Sequence, residues 1–272
     1  MNVENKVFLI TGAATGIGSG VARALVKKGA KHVVVLDVNT IAGEELQEEL
    51  NNKYGAGKLL FIKCDVTSEL DAAFDEATKQ FGYIDVVINN AGIMNDRPNI
   101  YEKEIAVNVT ALINGSLKAY EWMRKDKNGK GGTIINISSI VALIQSHLLP
   151  VYSATKSAVL QFSNCLGKEQ NYSRTDVRVL SICFGITDTN LIRGVGCIDE
   201  ELEEEMMVAL QHFPSQSVES AVQGLITAFE SGASGSTWLI TTNRPAEEIT
   251  GNVVKAFDIL RQGDFLIYIY QS

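Results

Sequence analysis

The chain is poor in the residues that staple small folds. Only four cysteines occur in 272 residues: Cys64, Cys165, Cys183 and Cys197. They lie far apart with no CxxC pair, and only three histidines accompany them, so neither a disulfide framework nor a bound metal is expected. No Pro/Gly/Ser linker or low-complexity tract divides the sequence, which reads as one domain over residues 1–272. No apolar run approaches the roughly 18 residues that suggest a membrane span. The opening Met1-Asn2-Val3-Glu4-Asn5-Lys6 lacks the basic-then-apolar order of a secretion signal, so a cytoplasmic protein is expected. The sequons at Asn108, Asn114, Asn136 and Asn171 are accordingly expected to stay unmodified. Positive charge is in deficit, with 24 basic against 32 acidic residues and a net charge of −8. That balance argues against nucleic acid or an anionic membrane as partner.

What is present is a rhythm. Short β-branched runs at Lys6–Ile10, His32–Leu36, Leu59–Lys63, Ile84–Ile88, Gly132–Ile137, Val177–Ile182 and Ser236–Ile240 read as buried strands. Helical spacing fills Gly18–Lys28, Ile41–Lys53, Leu70–Phe81, Asn99–Met123, Tyr152–Gln170 and Val218–Glu230. Seven such strands alternating with helices predict an α/β fold with a parallel sheet covered on both faces. A long insertion from Ile186 to about Phe213 places Leu202, Met206, Ala209 and Phe213 on one helical face, and reads as a substrate lid over 186–213. The tail from Pro245 to Ser272 carries the apolar run Phe265–Tyr270, expected to pack on a neighbour or help close a pocket.

Thr11-Gly12-Ala13-Ala14-Thr15-Gly16-Ile17-Gly18 follows the first strand and opens the first helix. Small residues there let backbone approach a pyrophosphate, and the helix N-terminus offers free N–H groups and partial positive charge. Asp37 ends the second strand, where a carboxylate accepts hydrogen bonds from both adenosine ribose hydroxyls and repels a 2′-phosphate. No Arg or Lys occupies Ala13–Thr15 or Val38–Asn39, so the expected cofactor is NAD, not NADP. Asp65 and Val66 end the third strand beside an expected adenine. Asn89-Asn90-Ala91-Gly92 ends the fourth, where small residues let cofactor pass and amides brace strands. All these features sit at strand carboxyl ends, where an open α/β sheet binds ligand.

Tyr152 and Lys156 stand at i and i+4, on one face of a helix. A nearby ammonium stabilises phenolate, which draws the tyrosine towards general-base chemistry. Ser139 ends the fifth strand and is placed to hydrogen-bond a substrate oxygen, whereas alternation turns Ser138 the other way. Asn108, mid-helix among apolar neighbours, is either a satisfied structural amide or a kink linking Lys156 to solvent.

As a set, the Gly12/Gly16/Gly18 loop, Asp37, Asp65, Asn89–Gly92, Asn108, Ser139, Tyr152 and Lys156 resemble the short-chain dehydrogenase/reductase family over essentially the whole chain. The resemblance implies a Rossmann-like, doubly wound, seven-stranded parallel sheet, a catalytic tetrad of Asn108, Ser139, Tyr152 and Lys156, and a homodimer or homotetramer. It also places Gly185, Ile186 and Thr189 against the nicotinamide. Within the family, Gly131–Asn136, Pro150–Ser153, Gly224–Thr227, Trp238–Thr242 and His212–Gln216 are similar to 15-hydroxyprostaglandin dehydrogenases and insect-type alcohol dehydrogenases. Two positions depart. Phe184-Gly185 stands where the family has Pro-Gly, which is expected to free that turn and add bulk. Leu149 stands where prostaglandin dehydrogenases carry glutamine, which points away from a prostaglandin-specific pocket.

The expected wall is apolar: Leu143, Ile144, Leu148, Leu149, Ile186, Leu191, Ile192, Met206 and Met207. No Arg or His is clearly placed to grip a carboxylate, and Arg193, the one exception, reads first as a solvated loop arginine. The expected substrate is a hydrophobic secondary alcohol or its ketone: a prostaglandin-like lipid, steroid, terpenoid or simple alcohol. The rival reading is a silent NAD-binding or storage protein that keeps the fold. The apolar breadth of Ala158, Val159, Phe162, Cys165 and Leu166 suits a helix shared with a partner subunit.

Overall fold

The computed structural model describes residues 1–260. The apolar run Phe265–Tyr270 lies outside the described residues. Strands β1 (Val7–Thr11), β2 (His32–Asp37), β3 (Leu59–Lys63), β4 (Val86–Asn89), β5 (Gly132–Ser139), β6 (Val177–Phe184) and β7 (Thr237–Ile240) pair in parallel. The sheet order is β3-β2-β1-β4-β5-β6-β7, and a short β8 (Glu247–Glu248) adds antiparallel to β7. The expected seven parallel strands are therefore joined by an eighth, whose two exposed acidic residues carry no apolar signal.

Side-chain alternation assigns the two faces. Phe8, Ile10, Val33 and Val35 enter one core with Leu25 and Val21 of helix α1 (Gly16–Lys27), while Leu46 and Leu50 come from α2 (Thr40–Tyr54). Leu9, Val34 and Leu36 enter the other, against Phe74 of α3 (Leu70–Phe81). Because both faces are covered, β1 and β2 are apolar at successive central positions, Val7–Ile10 and Val33–Leu36, which is why they read as continuous runs. Among the described residues no helix is long and apolar enough to cross a membrane, no group of metal-ligating side chains forms, and the cysteines are free.

The expected helix over 99–123 is broken. It comprises α4 (Tyr101–Ile105), a π-helical turn at Ala106–Ala111 and α5 (Leu112–Met123). Asn108 sits in the π turn, fully buried. Helix α6 (Pro150–Leu166) starts two residues before Tyr152, with Pro150 in its first turn, and stops at Gly167; α7 (Glu169–Thr175) follows. The 186–213 insertion folds as α8 (Asn190–Arg193) and α9 (Glu203–His212), and α10 (Val218–Ser231) returns to the sheet. The last described element is α11 (Thr250–Leu260). A small third core of Leu148, Leu149, Tyr152, Cys197 and Met206 forms where the insertion meets α6.

Candidate active site

The glycine loop is built for close backbone approach. Gly12 and Gly16 adopt φ of +62° and +58°, and a Cβ on Gly12 would lie 2.6 Å from Ala91 Cα. The Gly12 amide donates to Leu36 O at 2.7 Å, while Thr11 Oγ1 accepts from the amides of Asn90 and Ala91 at 3.0 Å each. Asn90 Nδ2 donates to the carbonyls of Thr11 and Gly12 at 3.0 and 2.7 Å. The Thr15 side chain makes no capping bond to α1, and no acidic residue occupies the first turn. The first amides of α1 therefore remain available to an anion.

At the end of β2, Asp37 Oδ2 accepts from Ala14 N at 2.9 Å and Oδ1 from Asn39 N at 2.9 Å. A carboxylate has about four lone-pair sites, so the two oxygens keep acceptor capacity for hydroxyls. Asp65 Oδ1 is committed to Thr67, accepting from its amide at 2.9 Å and its hydroxyl at 2.7 Å, and these bonds lower its pKa. Val66 is half-buried against the second core.

A buried polar ladder fixes the neighbouring strand ends. Asn89 Nδ2 donates to Ser116 Oγ at 3.0 Å and Asn136 Oδ1 at 2.9 Å, and Asn136 Nδ2 donates to Ser163 Oγ at 3.0 Å. Ser138 Oγ donates to Lys156 O at 2.8 Å, and both Ser138 and Ser139 border the cavity. Ser139 Oγ accepts from Val141 N at 3.3 Å.

A cavity of about 450 Å³ opens at these strand ends. Of the predicted cofactor residues, Ile17, Asn90, Gly92, Gly185, Ile186 and Thr189 line it, with Tyr152 and Lys156. Of the predicted substrate residues, Ser139, Leu149, Ile186, Leu191 and Met206 line it. Gly12, Thr15, Gly16, Gly18, Ala91, Asp37, Asp65 and Val66 lie outside this cavity, on the approach across β1–β3. A Cβ on Gly92 would sit 3.3 Å from Asn108 Oδ1 and 3.6 Å from Lys156 Nζ, so the missing side chain is what leaves that end open. A dinucleotide fits this arrangement: free amides at one end, a carboxylate for hydroxyls, and a glycine-floored cleft at the other.

Three expectations change. Leu143 and Met207 are exposed and do not line the cavity. Arg193 is exposed on α8 and outside the wall, as a solvated arginine is; the arginine at the wall is Arg244, just beyond β7. Phe184 does not free its turn. It is 5% exposed and continues β6 in register with Ser139 and Ile240, which the missing N–H of a proline would weaken. Lys156 does not by itself depress Tyr152. Burial pushes the phenol upward, Glu104 adds to this, and Ser139 only partly opposes it. The Lys156 ammonium lies 5.6 Å from the Tyr152 ring centroid and donates to Ile137 O at 3.0 Å. Burial lowers its own pKa to about 8, against the charge of Glu104.

Asn108 is satisfied by protein. Nδ2 donates to Ile93 O at 2.8 Å and Thr155 Oγ1 at 3.2 Å, and Oδ1 accepts from Ile93 N at 2.9 Å. The backbone is nevertheless kinked there, so both readings of this residue describe part of what is seen.

The family model described as short chain dehydrogenase matches residues 6–196. The chain is a short-chain dehydrogenase. Curated relatives of this dehydrogenase include the 15-hydroxyprostaglandin dehydrogenase [NAD(+)] of Macaca fascicularis, 33% identical over 252 residues and covering 90% of this chain and 94% of that one. Alcohol dehydrogenase 1 of Ceratitis cosyra is 32% identical over 223 residues, covering 80% of this chain and 85% of its own length. Among solved structures, a short-chain type dehydrogenase/reductase from Mycobacterium marinum superposes with a TM-score of 0.75 at 27% identity, covering 89% of this chain and 96% of that one. The 3-ketoacyl-(acyl-carrier-protein) reductase from Brucella melitensis complexed with NADH shares the fold at a TM-score of 0.73 and 23% identity, covering 89% and 98%.

Two sets of residues escaped the sequence reading. Asp96 is 1% exposed and accepts from the first amides of α6: Val151 N at 2.6 Å and Tyr152 N at 3.0 Å. Glu104 is fully buried beside it. The signal for Glu104 was its spacing four residues before Asn108, on the same helical face. The signal for Arg244 is its place just beyond the carboxyl end of β7, where an open α/β sheet binds ligand.

Proposed function

We propose that this dehydrogenase oxidises a hydrophobic secondary alcohol to its ketone, and reduces it in reverse, with NAD as cofactor. The observation that carries the reading is the convergence of Ser139, Tyr152 and Lys156, all buried, on one apolar-walled cavity beside the glycine loop. A silent nucleotide-binding protein has no use for that combination. Gly12, Thr15, Gly16, Ile17 and Gly18 would hold the pyrophosphate, Asp37 the adenosine ribose, Asp65 and Val66 the adenine side. Asn90, Ala91, Gly92, Gly185, Ile186 and Thr189 would bound the nicotinamide half. Bound oxidised cofactor supplies the hydride acceptor and a positive charge.

The chain's own residues do the rest. Ser139 Oγ hydrogen-bonds the substrate oxygen and holds it against the phenol. Tyr152 takes the hydroxyl proton as general base. Lys156 contributes positive charge towards the phenolate and a donor for the nicotinamide ribose. Asn108, at the π turn, sits on the route by which the proton returns to solvent. Leu149, Ile186, Leu191 and Met206 exclude water around the apolar part of the substrate. The 186–213 segment acts as the lid. A cytoplasmic homodimer or homotetramer, without nucleic acid or membrane partner, fits the acid-rich composition and the exposed Ala154, Ala158, Cys165 and Leu117 on α5 and α6.

Two results are expected. In fluorescence titrations NADH binds at least ~10-fold more tightly than NADPH, because Asp37 and the absence of nearby cations penalise a 2′-phosphate. A panel of secondary alcohols is then oxidised with NAD⁺. Equal NADPH affinity, or no turnover across the panel, would remove the reading. In addition, the Arg244 guanidinium makes no ion pair among the described residues. Arg244→Leu should raise KM for a carboxylate-bearing hydroxylipid by up to about 5-fold, the scale of an exposed ion pair, and leave a neutral alcohol unaffected. Equal KM changes for both substrates would show that Arg244 does not meet the anion.

A further inference from the structure

Beneath the catalytic end of α6 lie two acidic side chains that the reaction as described does not use. Asp96 spans the first turn of α6, binding the amides of Val151 and of Tyr152 itself. No side chain of α6 caps that turn, so Asp96 is its anchor. Glu104, at the last turn of α4, faces Asp96 from below. Its Oε1 accepts from Asn95 N at 3.3 Å, and its Oε2 is buried with no hydrogen-bond partner.

Two adjacent buried carboxylates cannot both be ionised cheaply, and a bare charge on Glu104 Oε2 would be costlier still. The groups facing the pair do not neutralise two charges. From α6 come Tyr152 and Lys156. From the lid comes Cys197, 1% exposed, and from the loop that carries Asp96 comes Arg97, whose guanidinium is already paired with Glu203. Among the described residues, that leaves Lys156 as the one cation facing the pair without another ion-pair partner.

We propose that Glu104 is a positioning residue of the reaction: it carries the shared proton of a buried acid–carboxylate pair with Asp96, which anchors the Tyr152 turn and limits the negative charge facing Tyr152 and Lys156. The inference rests on the dehydrogenase reading of those two residues. Burial and the Asp96 charge raise the Glu104 pKa to about 8, so the proton is held at neutral pH. Protonated Glu104 acts as donor towards Asp96, whose carboxylate remains the acceptor for the helix amides.

The test compares wild type, Glu104→Gln and Glu104→Leu in the full chain. First, melting temperature is followed from pH 5 to 9. Native Glu104 keeps a proton that the unfolded chain releases near its ordinary value of 4.5, so wild-type stability falls as pH rises from there to about 8. Glutamine, a permanent neutral mimic, removes that fall, and its melting temperature should exceed wild type by several degrees at the upper end. Second, the pH profile of kcat is measured. Glu104 is neutral below about 8 and faces Lys156 as a charge only above it, so Glu104→Gln should leave the acid limb in place and move the alkaline limb set by Lys156 to lower pH by about half a unit. A purely structural side chain would move neither. Third, Glu104→Leu, which cannot donate, should lose about ten- to a hundredfold in kcat, and glutamine should restore most of that loss. Parallel melting profiles for wild type and Glu104→Gln, or superimposable alkaline limbs of kcat, would overturn the proposal. Wild-type inactivity towards every alcohol would sink the dehydrogenase reading and the reactive role of Glu104 together, and the melting profiles would still decide separately whether the pair holds a proton.

Discussion

Tyr152→Phe should lower kcat by at least about 10²–10⁴-fold, the range assigned to a positioned general acid–base. The substitution removes one oxygen and nothing else. Tyr152 is 6% exposed, and its ring packs with Leu148, Leu149 and Met206, contacts that phenylalanine keeps. Its main chain remains anchored through Asp96, so α6 should not move. Substrate KM is expected to change little, since Ser139 and the apolar wall remain, and the loss should appear in single-turnover measurements of the chemical step. Melting temperature should stay near wild type. Burial drives the phenol's pKa upward in the absence of other charges, so the proton-accepting form depends on the positive charges of Lys156 and bound oxidised cofactor. Oxidation rate in the wild type should therefore rise with pH along an acid limb that the phenylalanine variant lacks. Near-full turnover in that variant would move the base elsewhere.

Much of this was legible in the residues because the signals are local. A parallel strand covered on both faces must be apolar at each position, and Val33–Leu36 or Phe8–Ile10 announce this directly. Strand ends in such a sheet are where polar residues have a reason to be, so Asp37, Asn90 and Ser139 stood out. The two-residue period of a strand turns Ser138 away from Ser139, but Ser138 also borders the cavity, with its hydroxyl tied to the Lys156 carbonyl.

The parts that escaped depend on contacts distant in sequence. A π turn adds one residue to a helical cycle and leaves no compositional mark, so Asn99–Met123 read as one helix. Asp96 and Glu104 carry no mark of burial in the sequence, one standing in a loop and one beside Glu102 and Lys103. Only the packing of α4 beneath α6 shows that both are buried. Phe184 was weighed as a missing proline, when the relevant fact is a donor gained by a strand that pairs on both sides. The effect of Lys156 on Tyr152 was read from i, i+4 spacing alone. Spacing fixes proximity but not burial, and here burial is the larger influence on both groups.

Lys156→Met should reduce kcat by about 10²–10³-fold, the scale for losing one preorganised charge or donor at a reacting oxygen. Methionine approximates the length and flexibility of the lysine stem, so the apolar contacts of α6 persist. Ile137 O loses its 3.0 Å donor, at a cost of about 1–3 kcal/mol. Removing a desolvated ammonium offsets part of that. The pH dependence separates this role from a packing role. Burial holds the native ammonium to a pKa of about 8, against 10.5 in the open chain. As pH rises through 8 the native protein loses the charge that supports the phenolate, so wild-type kcat should fall on an alkaline limb, and the methionine variant should have none. Stability runs the opposite way. Between about 8 and 10.5 the unfolded chain binds more protons than the native one, so wild-type stability gains from Lys156 as pH rises across that window. The variant should lack this gain, which thermal melts at pH 8 and 10 would read directly. A methionine variant with an unchanged alkaline limb would assign the limb to another group and leave Lys156 a structural donor to the Ile137 carbonyl.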